Sequence, residues 1–125
     1  MHVISNQQPA PSAIPGIAHV TLAGQAEGLS KLSVWQQSIA PGGATPPHRH
    51  DCEEVVICSG GIGELRLGEA VEQFARDMTV IIPANAEHQI VNIGKEPLQF
   101  VAVFSMAPVQ ACFPDGTAIA LPWRS

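Results

Sequence analysis

The chain has 125 residues, 46% of them hydrophobic and 14% charged, with a formal net charge of −5. That length is one domain with room for one hydrophobic core, and so apolar a composition excludes a disordered chain. The six basic residues are scattered, so neither a nucleic-acid backbone nor a membrane surface finds a basic patch to bind.

Residues 1–15 hold no Lys or Arg and no apolar run, so no secretory leader is expected. No apolar stretch approaches the roughly 20 residues that span a bilayer. The cysteines are Cys52, Cys58 and Cys112, an odd number without C-x-x-C spacing. They read as reduced thiols, and the expected location is the cytoplasm.

Residues 1–15 are polar and Pro-rich and are expected to form an extended arm; residues 16–125 form the domain. Within it, short apolar runs predict strands over Ile17–Leu22, Leu32–Ile39, Glu54–Cys58, Gly63–Leu67, Met78–Ile82, Gln89–Asn92, Leu98–Phe104 and Thr117–Leu121. Gly- and Pro-containing turns separate them, among them Pro41-Gly42-Gly43, Ser59-Gly60-Gly61 and Pro114-Asp115-Gly116. Ala70–Arg76 reads as a helical turn or an edge strand. So many short strands at this spacing predict an all-β sandwich or small barrel.

The chemistry concentrates in Gly42-Gly-Ala-Thr-Pro-Pro-His48-Arg-His50-Asp-Cys-Glu-Glu54. On an extended chain, residues two apart project from one face, so the imidazoles of His48 and His50 converge. Parity adds Glu54, although a bulge would deliver Glu53 instead. His88 follows a Pro-Ala-Asn turn at the head of a strand. Imidazole and carboxylate donors suit one divalent transition metal, with Fe, Mn, Zn, Ni and Cu all open.

These residues resemble the cupin superfamily. The first cupin motif, Gly-x5-His-x-His-x3-Glu-x6-Gly, is met by Gly42, His48, His50, Glu54 and Gly61. The second, Gly-x5-Pro-x-Gly-x2-His-x3-Asn, is met by Pro83, His88 and Asn92, with Asp77 and Asn85 in place of the two glycines. Asn accepts a left-handed backbone better than most residues, so the second substitution leaves the turn possible. The resemblance implies a double-stranded jelly-roll β-barrel and the metal ligands His48, His50, Glu54 and His88. It does not imply one reaction, because the fold hosts many activities.

Strand parity from His88 directs Ile90 and Asn92 inward. On the Leu98–Phe104 strand either Phe100, Ala102 and Phe104 or the alternate set faces in. The first choice, with Trp35 and Met106, makes an apolar aromatic pocket for a small molecule. No Arg or Lys is clearly aimed there, which disfavours phosphorylated substrates. The chain has no Tyr, so a Tyr general acid is excluded. Cys52 shares the parity of the ligands and would lie near the metal on a straight strand; a loop cysteine with no role is the plainer reading.

The expectation is a metal-dependent cupin enzyme acting on a small organic molecule, leaning to dioxygenase chemistry. The alternatives are a non-catalytic ligand-binding or sensing cupin and a non-redox isomerase or lyase. The apolar ending Leu121-Pro122-Trp123 is expected to pack on the barrel or on a second subunit, and a homodimer is expected.

Overall fold

The computed structural model describes residues 2–125, so Met1 of the expected arm lies outside the described residues. Eleven strands form: β1 (Ala10–Pro11), β2 (Ile17–Ala23), β3 (Ser33–Ile39), β4 (Glu54–Gly60), β5 (Ile62–Leu67), β6 (Ala70–Ala75), β7 (Thr79–Ile82), β8 (His88–Asn92), β9 (Leu98–Phe104), β10 (Ala111–Cys112) and β11 (Ala118–Ile119). One short 3₁₀ turn, Gln25–Glu27, joins β2 to β3. Ala70–Ala75 is a strand. Only Phe74 on it is buried, so it carries almost no apolar alternation to read.

The strands make two antiparallel sheets packed face to face. The larger has the order β1-β2-β3-β9-β4-β7, and the smaller β6-β5-β8. The extended segment 44–49 widens the smaller sheet through single bridges, Ala44 to Val91 and His48 to His88. Arg49 then bridges to Cys112, which attaches the β10–β11 ribbon. This is the jelly-roll β-barrel of the cupins.

Alternation fills the space between the sheets. On β9 Leu98, Phe100, Ala102 and Phe104 point inward, each at most 2% exposed, and Gln99, Val101 and Val103 point out. On β4 the inward set is Glu54, Val56 and Cys58, and on β3 it is Ser33, Trp35, Gln37 and Ile39. The core is thus aromatic and aliphatic, with Glu54 on β4 and Ser33 and Gln37 on β3 as buried polar members.

Both departures from the second motif keep the backbone that glycine would have supplied. Asp77 has φ +67° and Asn85 φ +63°, and they are the non-glycine residues with positive φ among those described. Asp and Asn tolerate this conformation best because their short polar side chains bond locally.

Gly61 joins β4 to β5 with φ +82°, and a Cβ there would lie 2.6 Å from the Pro97 carbonyl oxygen and 2.8 Å from Leu98 Cα. Gly42 has φ +77° but open space around the missing Cβ. Gly42→Ala is expected to cost about 1 kcal/mol, the left-handed strain alone. Gly61→Ala adds a backbone clash and is expected to cost about 2–4 kcal/mol. Urea denaturation of the two variants checks the difference.

Candidate metal centre

The segment 44–49 reaches the site as an extended connector and not as a strand of its own. The His48 and His88 backbones pair with each other, His48 N–H to the His88 carbonyl at 3.0 Å and the reverse at 2.8 Å. That pairing sets the two imidazoles side by side, ring centroids 4.3 Å apart. His50, two residues on, adds a third ring 4.9 Å from His48. The chain then bends at Asp51 and Cys52 before β4 begins. The bend decides between the glutamates: Glu54 is buried and Glu53 exposed.

The three imidazoles offer ligand atoms that all lie within 4.8 Å of one another. Glu54 Oε2 stands 3.5 Å from His88 Nε2 and 3.9 Å from His50 Nε2. Each ring is oriented from behind. His48 Nδ1 meets the Pro46 carbonyl at 2.7 Å, His50 Nδ1 the Gln110 carbonyl at 2.7 Å, and His88 Nδ1 the Ala86 carbonyl at 2.9 Å. A carbonyl only accepts, so each Nδ1 carries the proton and each neutral ring turns its Nε2 lone pair to the centre. His88 Nε2 and Glu54 Oε2 are buried without a hydrogen-bond partner. Three lone pairs and a carboxylate oxygen facing one point fit a divalent cation.

The electrostatics agree. Burial first, then the charge of His88 and His50, lowers the pKa of His48 to about 4. Burial likewise lowers His50. Burial pushes Glu54 up, but the neighbouring imidazoles outweigh it and hold the carboxyl below its ordinary range. His88 is depressed by burial and raised more strongly by Glu54. Glu54 ionised and His48 and His50 neutral are the states that metal ligation requires, while at His88 a metal would have to displace the proton that Glu54 favours.

Beside the ligands lies a cavity of about 50 Å³. Trp35, Ile90, Phe100 and Phe104 line it together with His48, His50 and Glu54. Asn92 points inward but serves the backbone: Nδ2 donates to the carbonyls of Ile39 and Glu96, and Oδ1 accepts from Gly94 N–H. Met106 follows the end of β9 and packs against the core, outside the cavity lining. Cys52 turns into the apolar core, 7% exposed, and burial pushes its thiol up. A buried thiol held in its protonated form is a poor nucleophile.

Sequence reasoning did not assign Gln37, Thr45, Leu121 or Trp123 to the wall. Parity with Trp35 could have found Gln37. The tail residues had only their unusual apolarity as a signal. Trp123 stacks on His19 with centroids 4.1 Å apart. His19 itself sits in a directed chain of hydrogen bonds. The Thr21 hydroxyl donates to the Arg124 carbonyl at 2.5 Å. It therefore accepts from His19 Nε2–H at 2.8 Å, and His19 Nδ1 accepts from Gln37 Nε2 at 2.9 Å. No Lys or Arg is among the residues that line the cavity.

With this geometry in view, the comparison with known proteins is decisive. The family described as Auxin binding protein matches residues 1–120. The chain belongs to that family. Auxin-binding protein 1 of Arabidopsis thaliana is 38% identical over 106 residues, which is 77% of this chain and 54% of that protein. The chain thus spans about half the length of that relative. A sugar phosphate isomerase of the cupin superfamily from Silicibacter pomeroyi superposes with a TM-score of 0.69 at 27% identity, covering 82% of this chain and 68% of that one. A polyketide cyclase from Streptomyces resistomycificus covers 97% of this chain and 87% of its own, with a TM-score of 0.73 at 19% identity. The family's fold is therefore the cupin barrel. No helix among the described residues is long and apolar enough to cross a membrane.

The neutral His19 gives a pH prediction. Its pKa is lowered from 6.5 to about 4 by burial and then by the charge of Arg124. The unfolded chain therefore binds the extra proton first, and stability falls as pH drops from about 6.5 toward 4. His19→Gln is expected to flatten that part of the curve. Urea midpoints of metal-free protein across this range check it.

Proposed function

We propose that this chain is a metal-dependent binding protein for a small organic acid. His48, His50, Glu54 and His88 hold one divalent transition metal. The observation that carries the reading is the set of Nε2 lone pairs and the Glu54 oxygen, turned to one point by backbone carbonyls and left without other partners. Bound there, the metal supplies Lewis acidity toward a ligand oxygen. Three neutral ligands and one carboxylate leave a divalent ion one net positive charge, which favours an anion. Trp35, Phe100 and Phe104 then cover the ligand's apolar body and exclude water. The relatives' name, auxin-binding, supports a binding role.

The volume limits the ligand. About 50 Å³ is well below the roughly 300 Å³ at which pockets begin to enclose drug-sized molecules. The ligand has few non-hydrogen atoms. His19, a buried base outside the ligand set, is held by hydrogen bonds on both ring nitrogens, so it is a poor proton carrier. That favours binding over turnover. The second reading is an enzyme, an oxygenase or an isomerase or lyase. It is supported by a ligand set that leaves coordination positions open on a six-coordinate ion. The unpaired cysteines support a cytoplasmic location.

Elemental analysis is expected to find about one metal ion per chain in the native protein. Glu54→Ala combined with His88→Ala is expected to lower that at least tenfold with the β-sheet circular dichroism retained. Small acids are then titrated into metal-loaded protein and followed by NMR for hours. Binding without consumption supports the first reading; steady consumption replaces it with the enzyme.

We also propose a homodimer. The outer face of the large sheet carries Val55, Ile57, Ile81, Val101 and Val103 in adjacent rows, with Ile81 66% exposed. The strand at its edge, β7, has an unpaired side that a second copy can cover. Sedimentation at tens of micromolar is expected to give twice the 13.2 kDa chain mass, and Ile81→Lys to give the monomer.

A further inference from the structure

The metal end accounts for one part of a ligand. The cavity lining also holds polar atoms that the metal does not explain. Trp35 is 3% exposed, lines the cavity, and has an indole N–H buried without a partner. Trp123 lines the same cavity with its N–H in the same condition. A buried donor without an acceptor costs roughly 1–3 kcal/mol, and native proteins seldom leave one so. The other polar side chains of that wall are engaged. Thr45 Oγ1 accepts from Ile90 N–H at 3.0 Å, and Gln37 gives its amide N–H to His19.

Neither indole is free to turn toward an acceptor elsewhere. Trp35 packs on Phe104 with centroids 4.4 Å apart and meets Trp123 edge to face at 5.4 Å. Trp123 is pinned by its stack on His19, and the next residue by the Thr21 hydroxyl. Two buried, unpaired donors therefore belong to side chains that line the cavity beside the cation site.

We propose that the cavity selects small acids carrying a second acceptor oxygen, which takes the Trp35 indole N–H with that of Trp123 beside it. This rests on the reading of the site as a metal-held acid binder and names the class of acid. An acid whose remainder is purely hydrocarbon leaves both donors unpaired and binds less well. One whose remainder offers an N–H meets donor with donor and is rejected.

The test uses metal-loaded native protein and two acids of equal charge and nearly equal shape. Pyruvate has an oxygen where isobutyrate has a methyl. Calorimetry is expected to give pyruvate about a tenfold advantage, the worth of one hydrogen bond. In Trp35→Phe, with metal content unchanged, the advantage is expected to fall below about threefold. The native chain has two Trp residues, so its indole N–H resonances can be read directly. Pyruvate should move the Trp35 signal downfield and isobutyrate should not, a readout that needs no variant. Equal affinities in the native protein overturn the proposal. So does a pyruvate advantage that survives both Trp35→Phe and Trp123→Phe, since chelation by the metal then explains it. If neither acid binds although the metal is present, the acid-binding reading itself fails and takes this proposal with it.

Discussion

Three main-chain carbonyls, those of Pro46, Ala86 and Gln110, accept the Nδ1 protons of His48, His88 and His50, and the rest of the site follows. Each carbonyl is itself fixed by sheet pairing. Pro46 lies in the connector that pairs with β8. Ala86 lies in the turn where Asn85 N–H binds the His50 carbonyl at 2.7 Å. Gln110 immediately precedes β10, whose Cys112 exchanges two hydrogen bonds with Arg49. The ladder β8, connector, β10 therefore sets three ring orientations at once. The large sheet delivers only the carboxylate, on β4. A shift between the sheets would separate Glu54 from the imidazoles, so the packing of the core is also what holds the ligand set together.

Much of this was legible from spacing. The intervals among Gly42, His48, His50, Glu54 and Gly61 carry the chain reversal and the convergence of side chains, because both depend on local counts of residues. Strand parity from His88 directs Ile90 inward, but on the Leu98–Phe104 strand it leaves two alternate sets open, and burial selects Phe100, Ala102 and Phe104. Asn85 shows how a substitution in a motif can be read physically: its left-handed backbone is what the missing glycine would have taken. Asp77 does the same at the first glycine position of that motif.

The illegible parts depend on distant partners. Nothing near His50 in sequence announces that Gln110 will orient it. The bend at Asp51 and Cys52 breaks the straight strand on which parity arguments rest, which is why Cys52 turns into the core while Glu54 still faces the site. Asn92 has the inward parity of a pocket residue, yet its amide is consumed by the Ile39 and Glu96 carbonyls. Parity predicts direction but not which polar group a side chain will meet first. The tail that carries Leu121 and Trp123 to the wall is tied down by its neighbours, Arg124 to Thr21 and Ser125 to Val109, which no periodicity encodes.

The distribution of unpaired polar atoms ties these threads together. Five buried side-chain atoms lack a partner among the described residues: Glu54 Oε2, His88 Nε2, the indole nitrogens of Trp35 and Trp123, and Ser33 Oγ. Scattered through a core, such atoms would be packing defects, each destabilising by roughly 1–3 kcal/mol. Here Glu54, Trp35 and Trp123 line one small cavity, and His88 Nε2 lies 3.5 Å from Glu54 Oε2. Two are acceptors or lone pairs that suit a cation, and two are donors that suit an oxygen. On the proposal made above, a ligand that pairs with both kinds of atom is anionic where it meets the ion and carries an oxygen where it meets the indoles. Four of the five unpaired atoms thus belong to the candidate site and its cavity wall, and on the proposed reading a bound ion and its ligand would satisfy them.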